Sequence, residues 1–359
     1  MLSDVNLNII RLKNPLVWCV VFSFMPMLLS GQATDWQDPG YDTNYIKSFR
    51  DYFVLTVVSA NTNNTIAVTD TAGQDVNFTS NLPFSFGLAI DYRWFTAEYT
   101  STFGRTGDPK KGETAMRSFG FGLTGRKLWF RNFYQKTQGY YVENPWYFNP
   151  NFNPEVDFYP SRSDVTSTVY YANLNYGFNH RKFSNMAALW QLERQKKSAG
   201  SFTVGATLSL AYYNADSALI PSRYQHLFEG RDFITDFEFA LVGINGGYLH
   251  TFAFGKQRKL FINLAFIPGI SYQGGQAYSA ITENTLNRQT IGAQVEGRLV
   301  FGYNGDRWYS SMSSVGYVIS SNFEETNPFS QGYSFFRFVV GYKFLMPEHN
   351  IKVLKKIGL

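Results

Sequence analysis

The sequence predicts an all-β protein, a transmembrane antiparallel β-barrel of about twelve strands. Three observations lead there. Long stretches place an apolar residue at every second position. Aromatic residues are dense, with 34 Phe and 24 Tyr in 359 residues. The connections between alternating stretches are short and long by turns.

The alternation is clearest in four places. Phe84, Phe86, Leu88, Ile90 and Tyr92 share a face, opposite Ser85, Gly87, Ala89, Asp91 and Arg93. Phe119, Phe121 and Leu123 oppose Ser118, Gly120, Gly122 and Thr124. Phe202, Val204, Ala206, Leu208, Leu210 and Tyr212 oppose Ser201, Thr203, Gly205, Thr207 and Ser209. Ile291, Ala293, Val295, Leu299, Phe301 and Tyr303 oppose Gln294, Glu296 and Arg298. Strand side chains point alternately to opposite faces, so one face is large and apolar and the other small, polar or charged. Soluble sandwiches alternate too, but over strands of about 5 to 6 residues. These runs reach about ten or more, enough for a tilted strand to cross a bilayer.

From the N-terminus, 1–33 reads as a signal peptide. Arg11 and Lys13 precede an apolar run over 16–29, and Ser30-Gly31-Gln32-Ala33 offers small residues for cleavage after Ala33. The run is short for a spanning helix, which needs about 20 residues. Loss of Arg11, Lys13 and Asp4 takes the net charge from +5 to +4. The single cysteine, Cys19, leaves with that segment, which excludes disulfides, cysteine-ligated metals and a cysteine nucleophile in the mature chain. Basic residues are scattered, which argues against nucleic acid as a partner.

A periplasmic lead-in is expected at 34–50, the barrel at 51–344 and a basic tail with Lys352, Lys355 and Lys356 at 345–359. Strands are expected at 51–59, 82–92, 94–102, 116–127, 129–142, 166–179, 201–213, 233–254, 259–273, 289–303, 307–320 and 332–344. Connections around Tyr92-Arg93, Arg126-Lys127-Leu128, 255–258 and Asn304-Gly305-Asp306 are short; those at 60–81, 103–115, 143–165, 214–232, 274–288 and 321–331 are long. Outer-membrane barrels have short periplasmic turns and long external loops. The last strand alternates Phe336, Phe338, Val340, Tyr342 and Phe344, the kind of signal that barrel assembly machinery reads.

Residues 180–200 break the rule. They fall on the short-turn side yet number 21, and Met186, Leu189, Trp190 and Glu193 recur at helical spacing. A thirteenth strand here would move the short turns to the other side halfway along. Parity therefore predicts a helical or irregular, non-spanning segment with a gating or docking role for Lys182, Phe183, Glu193, Gln195, Lys197, Ser198 and Gly200.

Three places carry a family resemblance: Tyr41-Asp42-Thr43-Asn44-Tyr45-Ile46, Gln138-Gly139-Tyr140-Tyr141, and the run from Asn179 to Ser201 with Lys182-Phe183-Ser184, Glu193, Gln195 and Lys197-Ser198-Ala199-Gly200-Ser201. In these the chain resembles a Bacteroidota family of predicted outer-membrane barrels catalogued as domain of unknown function 4421. The resemblance runs along nearly the whole mature chain. It implies an outer-membrane address in a Gram-negative bacterium and supplies no activity.

Candidate chemistry is sparse. His180, His226, His250 and His349 show no metal-ligand spacing, so no metal or other cofactor is expected. His180, Ser184 and Glu193 are weak catalytic candidates, against the plainer reading of a turn and a cap. Asp91, Glu98, Glu296, Arg298 and Arg337 are expected to line the lumen, either filling it by pairing or bordering a narrow channel. Twelve strands are fewer than the 16 to 18 that leave a porin-like channel, so a filled lumen is the default. The aromatic, Asn- and Pro-rich loop at 143–165 is expected to fold over the mouth, and Lys110-Lys111 could meet glycolipid phosphates. The expected partners are outer-membrane lipid and lipopolysaccharide, the assembly machinery and a periplasmic partner docking on 180–200. The function expected is a non-enzymatic pore, transporter, scaffold or surface receptor. The alternatives are a lipid- or peptide-hydrolysing barrel and a secretion or assembly accessory.

Overall fold

The computed structural model describes residues 40–82, 84–103, 107–228, 234–278, 285–321 and 330–346. The expected signal peptide and most of the basic tail lie outside them. In chain order the elements are β1 (Ile46–Ser48), β2 (Tyr52–Thr69), β3 (Asp75–Thr79), β4 (Ser85–Tyr92), β5 (Phe95–Ser101), β6 (Ala115–Thr124), β7 (Leu128–Val142), β8 (Ser161–Gly177), α1 (Met186–Leu189), β9 (Glu193–Gln195), β10 (Ala199–Asn214), β11 (Asp236–Phe254), β12 (Leu260–Tyr278), β13 (Thr285–Asn304), β14 (Trp308–Ser321) and β15 (Ser330–Leu345).

Twelve of these strands form one antiparallel ring. It runs β2-β4-β5-β6-β7-β8-β10-β11-β12-β13-β14-β15, and β15 returns to β2 in register from Leu345↔Tyr52 to Ser330↔Ala67. Closure leaves no edge strand, so the wall's backbone groups pair with one another and need no water. Every one of the twelve expected strands is present. Among the described residues, no helix is long and apolar enough to cross a membrane.

The faces follow the alternation. Val57, Leu88, Phe119, Phe202, Ile244, Phe266, Ile291, Phe301 and Phe338 point outward and are exposed, forming an apolar belt of the kind that hydrocarbon solvates. Near the short-turn end, Trp308, Tyr342 and Phe344 stack edge to face along it. The short turns are tight. Arg93 reverses the chain between β4 and β5 with a φ of 54°, and Gly255 at 75° opens the turn between β11 and β12.

Two features depart from the expected pattern. Residues 60–81 do not form a plain loop: β2 continues outward to Thr69 and returns as β3. β3 then also pairs with Tyr141 and Val142 of β7, walling the barrel above the short strands β4, β5 and β6. Inside this end, Val68, Phe78, Tyr140, Phe148, Phe228 and Ile234 belong to a buried apolar cluster that includes residues of 143–165, as expected for a loop folded over the mouth. Lys110 donates to the carbonyls of Pro154 (3.2 Å) and Glu155, and Lys111 lies over the rings of Tyr141 and Tyr159. Both lysines thus anchor the loop.

The register of β7 against β8 shifts between Gln138 and Tyr140, where Gly139 adopts a φ of 91°. A Cβ there would stand 2.1 Å from the Glu113 carbonyl oxygen. Gly139→Ala combines a disfavoured backbone with a collision, and each of the two costs on the order of 1–3 kcal/mol. The urea midpoint of the variant in detergent should fall clearly below wild type; an unchanged midpoint rejects the argument.

Candidate functional site

Two of the three segments that carry the resemblance, 41–46 and 179–201, are far apart in sequence and meet inside the short-turn end of the barrel. β1 and β9 form a two-stranded sheet, Ile46↔Gln195 to Ser48↔Glu193. Gln195 clasps it: its Oε1 accepts from Ser184 N (3.1 Å), and its Nε2 donates to the carbonyls of Lys182 (2.6 Å) and Tyr45 (3.3 Å). Lys196 donates from its backbone N to the Tyr45 carbonyl (2.6 Å) and from its side chain to that of Thr43 (2.7 Å). Together these pieces make a plug.

The plug is wedged by apolar burial. Met186 and Leu192 pack with Val54, Val58, Ala89, Tyr309 and Val339 of the wall. Phe183 packs with Trp129, Leu249 and Ile267 on the opposite side. The helix is shorter than the spacing suggested. It stops at Leu189, and Gln191 turns the chain with a φ of 52° so that β9 can run back along β1. β10 begins at Ala199, two residues earlier than expected, with Ser198 Oγ accepting from Ala253 N (3.0 Å). At Gly200 a Cβ would stand 2.1 Å from the Tyr248 hydroxyl, so glycine lets the wall close there. Lys182 and Lys197 lie over the Tyr45 ring on the outer face of the plug, at 5.4 and 5.3 Å from its centroid.

Charge anchors the plug more specifically. Glu193, only 1 % exposed, lies 3.0 Å from Arg126 Nη1 and 3.7 Å from Arg50 Nε. The first contact is a meeting of charges, not an aligned hydrogen bond. Arg126 also stacks 3.9 Å over the Tyr41 ring. Arg298 reaches Asn185 Oδ1 on the plug (2.9 Å) and Asn263 Oδ1 on the wall (3.1 Å). Asn304 donates to the Glu193 carbonyl (2.8 Å). In the next turn, Asp306 gathers Lys47 (2.6 Å), Arg194 (3.2 Å) and Lys259 (3.3 Å). The hydrogen bond from Lys47 leads in holding the Asp306 carboxyl down at about 2, helped by the charge of Arg194.

Above the plug lies a lumenal cavity of about 180 Å3. Leu189 and Trp190 form its floor, and Phe133, Phe335 and Tyr317 form part of its ceiling, shared with the mouth cluster. Asp91, Glu98 and Arg337 line it, with Arg337 bonded to Glu98. Arg131, also in the wall, pairs with Glu296 (3.1 Å) and donates to Tyr317. Of the other two residues expected to line the lumen, Glu296 meets Arg131 and Arg298 reaches the plug. Among the charged partners that sequence reasoning missed are Arg50, Arg126, Arg131 and Asp306.

His180, Ser184 and Glu193 do not join into a relay. Ser184 Oγ accepts from Ala187 N in the first turn of α1 (3.0 Å), and Glu193 is held by the two arginines. Burial, then the charge of Lys127, pushes the His180 imidazole below its usual value. Among the described residues, no cluster of three or more His, Cys, Asp or Glu could hold a metal.

Breaking a buried ion pair by removing one partner leaves an uncompensated charge and costs about 3–5 kcal/mol. Glu193→Gln should therefore loosen the plug. Amide exchange at Leu192 to Gln195 should rise well above wild type while that of β12 and β13 stays slow. Equal protection in the two proteins counts against the anchor.

No curated protein matches this sequence. Among solved structures, the chain is similar to the translocator domain of the autotransporter NalP from Neisseria meningitidis, at 11 % identity, covering 91 % of this chain and 96 % of that one with a TM-score of 0.37. It is similar to the outer membrane protease OmpT from Escherichia coli at 9 % identity, with 83 % and 97 % covered and a TM-score of 0.33. The toluene transporter TodX of Pseudomonas putida matches at 9 % identity, with 86 % and 91 % covered and a TM-score of 0.26. A family model matches residues 40–344, from the lead-in through the plug to the last strand, and the chain belongs to that family, described as domain of unknown function DUF4421.

Proposed function

We propose that the protein is a non-enzymatic outer-membrane barrel that passes a small solute through a lumenal compartment covered at both ends. The plug is the periplasmic cover and the folded loops are the external one. The cavity between these two covers carries the reading. A barrel serving only as a scaffold has no need of an interior space that holds charged side chains above a separately anchored segment. The apolar belt supports a lipid address, and the short turns at the plug end support a periplasmic orientation.

Access to the compartment tests this. The only cysteine of the chain is Cys19, in the expected signal peptide, so Ser313→Cys introduces a single thiol into the cavity wall of the processed protein. In the otherwise wild-type protein, labelling by a water-soluble maleimide should be slow. Adding Glu193→Gln and Asp306→Asn should speed it about tenfold or more while the barrel stays folded by gel mobility. Equal rates sink the reading of 180–200 as a cover.

The Asp306 anchor makes the plug sensitive to acid. Its folded carboxyl titrates at about 2, below the ordinary value of about 3.9 for an unfolded aspartate. A depressed carboxylate stabilises the fold above the unfolded value and stops doing so as pH falls through the folded one. The difference in melting midpoint between wild type and Asp306→Asn should be constant above about pH 5, fall steeply toward pH 2 and be gone near pH 1. The carboxylate is half exposed, so the difference should also shrink in high salt. A difference that persists unchanged to pH 2 contradicts the assignment.

A further inference from the structure

We propose that the lumenal cavity is a binding site for a small organic cation, an aromatic or alkyl ammonium, held by Asp91. Asp91 sits on β4, faces the cavity and is 3 % exposed. Its carboxylate makes no hydrogen bond and no ion pair with any described residue, and the nearest charges acting on it are those of Arg337 and Glu98. A buried carboxyl either is paired or gives up its charge, so a lone one facing a cavity is a place where an entering cation can supply the missing partner. Its neighbours explain the sign of that ligand. Arg337 is bonded to Glu98, and Arg131 to Glu296 and Tyr317, so each guanidinium of the cavity wall already has a carboxylate partner, and Asp91 and Glu98 share the charge of Arg337 between them. The carboxylate of Asp91 is the one wall charge still lacking a bonded partner among the described residues.

The rest of the wall suits the remainder of such a molecule. Trp190 gives an aromatic floor, and Phe133, Phe335 and Tyr317 surround the space. A cation is attracted to aromatic faces as well as to a carboxylate. Thr62, Thr96 and Thr100 supply hydroxyls for further N–H or O–H groups. A cavity of about 150 Å3 accepts benzene, so the 180 Å3 here fits a ring with one short aminoalkyl arm. The inference concerns the cavity and not the release of the plug. Binding and plug opening can therefore fail separately.

Titration calorimetry on the purified full chain in octyl glucoside, a non-ionic detergent, tests it with three probes of one shape. Benzylammonium carries the positive charge, benzyl alcohol is neutral and benzoate is negative. The expected result is saturable one-to-one binding of benzylammonium, at least tenfold tighter than benzyl alcohol, with no saturable binding of benzoate. Asp91→Asn keeps the shape and removes the charge, and should reduce benzylammonium binding to the level of the alcohol. Equal binding of amine and alcohol, tighter binding of benzoate or an unaffected Asp91→Asn variant each overturns the proposal. So does an absence of saturable binding by wild type, or saturation by Ca2+ with none by benzylammonium. The probe series on wild type decides the matter even if the variant does not fold.

Discussion

Closure of β15 onto β2 is the constraint on which the rest depends. A wall immersed in hydrocarbon must satisfy its own backbone groups, and only a closed ladder does so with strands. Closing an antiparallel ring of hairpins requires an even number of strands, and that parity brings the chain before β2 and the chain after β15 to the same end. It sends 180–200 to that end as well. β1 meets β9 because ring arithmetic leaves them facing each other across the same opening, although about 150 residues separate them.

The lumen shows a division of labour among charges. At the plug, arginines from the lead-in and a short turn converge on a single carboxylate, Glu193. One turn away the pattern inverts, with Lys47, Arg194 and Lys259 around Asp306. In the cavity, Arg337–Glu98 and Arg131–Glu296 span from one strand to another across the interior. Side chains of opposite sign thus do for the interior what apolar packing does for a water-soluble core. The space is held open where packing is missing, around Asp91.

Much of the ring was legible in the sequence because strand periodicity is a local signal. Phe202 to Tyr212, or Ile291 to Tyr303, announce both a strand and its two faces, and the lumenal position of Glu296 and Arg298 follows from the same count. β3 was missed although Val76 and Phe78 alternate correctly, because the Asn- and Thr-rich stretch before it reads as loop. The spacing of Met186, Leu189 and Trp190 made a short helical or irregular segment legible, but the turn at Gln191 that ends the helix is set by β9 pairing with a distant β1. Nothing local marks Arg126 as the partner of Glu193 or Asp306 as the partner of Lys47. Those pairings depend on three-dimensional closure, and a lone charged residue in a short turn carries no trace of its partner.

The plug has a further consequence because it is continuous with the wall at both ends of 180–200 and tied to β2 through β1. Once displaced it cannot diffuse away. Short tethers hold a detached segment at an effective concentration in the millimolar range, so an opening event carries its own return. On the proposed reading of 180–200 as a cover, the plug is a ligand that never leaves, and whatever opened the barrel would have to outcompete it continuously.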